Sequence, residues 1–187
     1  LKNYVFKNFD KKIGVNEPKK TWLEVQKNIV KESDKFFNRF WASWVIKVTE
    51  SKLFRRFDKY IKSEENKKFR DANILLKKIS VSSKIYRKIL SPKLDDWKVN
   101  KNYCVYYSLR SLIGHFNAKV PLPFLLALIE EFENKKITKK LFIKTLNSLE
   151  NFHFIFTHIV SPRASGLDGK YSKFAILLKD SENKEKQ

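Results

Sequence analysis

Apolar residues return every three or four positions along most of this chain. Phe36, Phe37, Phe40, Trp41, Trp44 and Val45 do so, and Leu53, Phe54, Phe57, Tyr60 and Ile61 repeat the pattern. Such spacing marks helices with one broad buried face. It continues through Phe69, Leu75, Leu76 and Ile79, then Ile85, Tyr86, Ile89 and Leu90, with Ser80-Val81-Ser82-Ser83 expected as an interruption. Four Gly and five Pro supply too little turn chemistry for a many-stranded sheet. The expectation is an all-α fold, an irregular multi-helix bundle of about seven helices.

Start and stop signals divide the pattern. Thr21-Trp22-Leu23-Glu24 has capping-box spacing and predicts a helix start, as does Ser33-Asp34. Ser91-Pro92 predicts a stop, because the residue before Pro resists the helical conformation. A tyrosine-rich helix is expected over 102–113, ending near Gly114. Pro121 and Pro123 suit the first turn of the next helix, and Thr138 caps the one after it, which Ser161-Pro162 closes. A last short helix is expected over 171–178. The domain reading is a linker segment over 1–20, a basic aromatic-rich subdomain over 21–90 and a connection over 91–101. A second helical subdomain follows over 102–178, and a charged, disordered tail over 179–187.

Forty Lys and Arg face twenty Asp and Glu, a formal net charge of +20. The imbalance is steepest in the first half, where residues 1–101 hold 27 basic and 12 acidic side chains. A field of this sign attracts polyanions, nucleic acid foremost. One Cys and three scattered His exclude a disulfide framework and a zinc pattern. No run of eighteen apolar residues is present, so no membrane partner is expected. The start Leu1-Lys2-Asn3 lacks Met and a signal-peptide apolar region, and the expectation is a cytoplasmic fragment of a longer protein.

Candidate chemistry is sparse. Lys52, Arg55, Arg56 and Lys59 stack along one helix face and suit successive phosphates. Lys52, Arg55 and Lys59 are expected to face solvent, with Arg56 partly packed along its stem. Arg110 and His115 fit an Arg-x4-His spacing, which resembles the motif of HEPN-type ribonucleases and implies metal-independent RNA cleavage. His153 and His158 are five apart and point to different sides of a helix; His153, among Phe152, Phe154 and Phe156, is expected to be a packed, hydrogen-bonded imidazole. Glu130-Glu131 and Asp95-Asp96 read as solvated faces. Gly-rich phosphate loops and Gly-x-Ser-x-Gly elbows are missing. Catalytic residues, metal ligands and cofactors within this chain are therefore not expected.

Two stretches resemble the GmrSD-type restriction endonucleases, which join a ParB-like and an HNH nuclease domain through a helical region. The first is Phe36-Phe37-Asn38-Arg39-Phe40-Trp41-Ala42-Ser43 with Lys52-Leu53-Phe54-Arg55-Arg56-Phe57. The second runs from Pro123-Phe124-Leu125-Leu126-Ala127-Leu128 through Leu149–Phe156. It continues into Ser161-Pro162-Arg163-Ala164-Ser165-Gly166-Leu167-Asp168 and Tyr171-Ser172-Lys173-Phe174-Ala175. The resemblance covers about residues 30–178 and implies a non-catalytic module that positions flanking nuclease domains in phage defence. It adds Arg163 to the phosphate-contacting set. The ParB-like Asp-Gly-x-Gln-Arg signature is missing, and His158-Ile159-Val160-Ser161-Pro162 departs from the HNH element by one residue. Nucleotide and divalent metal would then belong to the parent protein. DNA and the flanking nuclease domains are the implied partners, and a homo-oligomer is compatible with the same reading. Two other readings stay open: the HEPN-like ribonuclease and a purely structural helical interaction domain.

Overall fold

The computed structural model describes residues 16–29, 33–47, 49–97, 103–160 and 166–184. Among these the fold is all-α, with eight α-helices, two short 3₁₀ segments and two π turns. Helix α1 is Asn16–Ile29, α2 Ser33–Ala42 and α3 Glu50–Lys62, and a 3₁₀ segment over Glu64–Arg70 leads into α4, Ala72–Leu90. A second 3₁₀ turn at Leu94–Trp97 precedes α5, Tyr103–Leu109, which tightens into a π turn at Arg110–His115. Helix α6 is Leu122–Glu133, α7 is Lys139–Phe154 with a π turn at Ile155–Val160, and α8 is Leu167–Lys184.

Helix α6 is the axis of the molecule. Leu122, Pro123, Leu125, Leu126, Ala127, Leu128, Ile129 and Glu131 are all buried, so it has almost no solvent face. A helix apolar all round belongs in the middle of a core, and α2, α4, α7 and α8 pack about it. One hydrophobic cluster runs from Trp22 and Phe36 through Ile79, Trp97 and Leu125 to Phe142 and Tyr171, across the 91–101 connection. Its aromatic part is dense: Trp41 meets Phe57 edge-on at 5.7 Å, and Trp44 meets Phe69 at 4.6 Å. Phe132 and Phe142 stack at 4.1 Å between α6 and α7.

Several boundaries differ from the sequence expectation. Helix α1 begins at Asn16 rather than Thr21; Pro18 fits its first turn, where no intrahelical N–H is needed. Thr21 Oγ1 donates to Glu17 O at 3.0 Å inside the helix instead of capping it. The serine run does not interrupt α4. Ser80, Ser82 and Ser83 are buried there, and Ser83 Oγ donates to Ser80 O while accepting from Asn28 Nδ2 of α1. Small, satisfied hydroxyls let α1 lie against α4. The last helix spans Leu167–Lys184, well past the expected end at 178. Gly166, at φ +90°, makes the turn that enters it.

Side-chain capping differs from helix to helix. Asp71 accepts from Asn73 N at 2.8 Å at the head of α4, and Thr138 accepts from Leu141 N at 3.2 Å at the head of α7. Thr49 stands at the N-cap of α3 without a side-chain capping bond. Beyond the other end of α3, Arg70 donates to the carbonyls of Ile61 and Lys62, groups that a helix end leaves unpaired. Asp71→Ala should therefore cost about 1 kcal/mol in chemical denaturation, whereas Thr49→Ala should stay within about 0.5 kcal/mol.

Candidate nucleic-acid interface

Helix α3 buries Phe57 and Ile61 and half-buries Leu53 and Tyr60, one stripe turned toward α2 and the following 3₁₀ segment. Lys52, Arg55, Arg56 and Lys59 sit at i, i+3, i+4 and i+7, a contiguous face away from that stripe. All four are exposed. Arg56 thus departs from the expected partly packed position, because the stripe is narrow and Tyr60, on the Arg56 side, is itself only half-buried. Among the described residues none of the four forms an ion pair, while Lys62 pairs with Asp58 at 2.7 Å one turn along. Arg163 lies outside the described residues.

Other charged groups are spent on the fold. Glu130 of α6 lies 3.5 Å from Lys78 of α4 and 2.5 Å from Lys179 of α8, with all three side chains largely covered. The Lys78 ammonium also stands 5.0 Å over the Trp44 ring. Burial lowers the Lys78 pKa by more than the Glu130 carboxylate raises it, and Lys179 adds to the lowering. For Glu130 burial acts upward, but the two ammonium groups outweigh it and hold the carboxyl below its ordinary 4.5. Glu131, only 4% exposed, pairs with Lys136 at 3.0 Å, and Glu133 with Lys88 at 2.5 Å. Asp96 takes a two-pronged contact from Arg87, at 2.6 and 3.3 Å. Glu130, Glu131 and Asp96 are thus structural partners, not the solvated faces their sequence neighbours imply. Lys47 pairs with Asp168, joining the residues after α2 to the start of α8.

The remaining polar candidates resolve as follows. His153 is buried, its Nε2 2.9 Å from the Tyr171 hydroxyl and its ring stacked on Tyr171. Burial lowers the His153 pKa and pushes the Tyr171 phenol up to about 12, so at neutral pH both are uncharged and the expected packed imidazole is what the structure contains. Arg110 and His115 open and close the π turn, both exposed, and Arg110 Nη1 donates to the Tyr106 hydroxyl at 3.2 Å. A cleft of about 520 Å³ between α1, α2 and α3 is walled by Trp22, Phe37, Phe40, Leu53 and Phe54, with Asp34 as its lone carboxylate. Among the described residues no group of three or more His, Cys, Asp or Glu could hold a metal ion, and no helix is long and apolar enough to cross a membrane.

Against known proteins, neither family models, nor curated sequences, nor solved structures give a match.

The buried carboxylate offers the sharpest test of this charge arrangement. With its folded pKa depressed, Glu130 contributes stability that is present above its unfolded value of 4.5 and is lost as pH falls through the folded value. Glu130→Gln should cost about 3–5 kcal/mol at neutral pH by leaving Lys78 and Lys179 facing each other. It should also flatten the acid limb of the stability curve, measured by urea unfolding across pH.

Proposed function

We propose that this chain is a non-catalytic helical module that holds duplex DNA by its phosphates, within a GmrSD-like, modification-dependent endonuclease acting in phage defence. The observation that carries the reading is the unpaired, exposed row Lys52, Arg55, Arg56 and Lys59 on α3. A face of bare cations at helical spacing, in a chain of net charge +20, recruits a polyanion with little regard to base sequence. The link to that nuclease class rests on the helix and tail motifs of residues 36–57 and 123–175. In such a parent the flanking nuclease domains hold the metal and the phosphodiester chemistry, and this module keeps them in register on DNA.

Duplex binding should weaken steeply with salt, by a slope of about −0.9 in log–log form for each phosphate neutralised. Reversing Lys52, Arg55 and Lys59 to Glu should cut both affinity and slope while leaving melting temperature unchanged, as befits exposed positions. The same reversal at Lys135, Lys136 and Lys139 should do less. Equal losses from both triples, in a fluorescence-anisotropy titration, would show a diffuse field in place of a DNA face.

One observation favours the ribonuclease reading as a second. In the π turn, Phe116 N donates to Ser111 O at 2.9 Å, an i→i+5 bond, and such a turn stacks residues five apart more nearly than an α-helix does. Arg110 and His115 stand at the two ends of that turn, five residues apart. We expect RNA to remain intact in the absence of metal; cleavage that His115→Ala abolishes would overturn the non-catalytic assignment.

A further inference from the structure

Between Asp96 and Glu130 the chain carries no carboxylate side chain. Within that stretch Tyr103, Tyr107 and Arg110 follow one another at steps of four and three, which places them on one face of α5. The opposite side of the helix, Val105, Ser108 and Leu109, is buried. Tyr103 is 41% and Tyr107 59% exposed, so two large rings meet water one helical turn apart. The half-buried Tyr106 holds their neighbours in place. Its ring lies 5.1 Å from that of Tyr107 at 73°, and its hydroxyl accepts from Arg110. Arg110 forms no ion pair among the described residues.

A single exposed tyrosine is ordinary surface. Two exposed rings one turn apart, with a propped, uncompensated guanidinium on the same face, match what unpaired bases require: flat faces for stacking and a cation for the backbone. Protein interfaces also favour Tyr and Arg, but the carboxylate bonded to this helix, Glu150, sits at Ser108 on its buried side, and an exposed face whose own residues carry no carboxylate, on a chain of this charge, favours a polyanion. Duplex DNA hides its base faces, so its phosphates alone would leave the rings unused.

We infer that Tyr103, Tyr107 and Arg110 form a stacking platform for single-stranded nucleic acid. The two rings take the faces of unpaired bases and Arg110 takes the intervening phosphate. The platform is separate from the α3 face and does not rest on the duplex reading.

The test uses the whole chain and a labelled oligothymidylate of roughly ten nucleotides, within the site sizes of such surfaces. Tyr103→Ala with Tyr107→Ala should weaken single-strand binding by about tenfold for each ring removed, with duplex binding and melting temperature unchanged. Tyr103→Phe with Tyr107→Phe, which keeps the rings, should hold affinity within about threefold. Tyr107→Ser alone, at the more exposed ring, serves if the double variant unfolds. Unaltered single-strand affinity in the alanine variants overturns the inference, as does an equal loss on duplex or an equal loss in the phenylalanine pair. A changed sedimentation coefficient with single-strand binding intact assigns the face to protein association and likewise overturns it.

Discussion

A carboxylate largely covered on the central helix has to be answered from outside that helix, and Glu130 is answered twice. Lys78 comes from α4 and Lys179 from α8, and the Trp44 ring covers the first of them. Removing Glu130 leaves two covered ammonium groups uncompensated, which is far costlier than the assembled cluster is stabilising. The cluster thus acts on specificity: it admits one seating of α4 and α8 against α6. The Ser172 hydroxyl, bonded to Ala42 O at 2.7 Å, ties α8 to the end of α2 by a neutral contact of the same kind. With α8 seated, Tyr171 comes over His153, and the second half of the core closes.

What could be read in advance was what is local. Helical periods, the Ser91-Pro92 stop and the Thr138 cap depend on residues a few positions apart, and the all-α architecture follows from them. The partners of Glu130 lie 52 and 49 residues away, so nothing in Glu130-Glu131 itself distinguishes a covered pair from a solvated one. The serine run failed as a breaker for the same reason, since Ser83 accepts from Asn28 of α1, 55 residues away. Helix α1 began early because Pro18, a breaker elsewhere, is a starter in a first turn. The π turns have no sequence signature at all.

The basic face of α3 was legible because it too is a helical period, and only Arg56 was misjudged. The accounting that gives it meaning was not. Carboxylates at 96, 130, 131, 133 and 168 are paired within the packing, and among the described residues no carboxylate pairs with Lys52, Arg55, Arg56 or Lys59. Charge segregation of this sort follows from tertiary structure, although the totals are in the composition. The tyrosine row of α5 was equally visible as letters, yet only the orientation of the helix separates a core stripe from a surface one.

The distribution of indoles has a practical corollary. Trp22, Trp41, Trp44 and Trp97 all belong to the part of the chain before α5, and three of the four are buried, with Trp44 wedged among Phe40, Tyr60 and Phe69. The residues from α5 to α8 contribute tyrosine and phenylalanine only. Intrinsic emission excited at the red edge therefore observes the packing of α1 to α4, whereas loosening confined to α7 and α8 is optically silent there. Such loosening is registered instead in the near-ultraviolet dichroism of Tyr171.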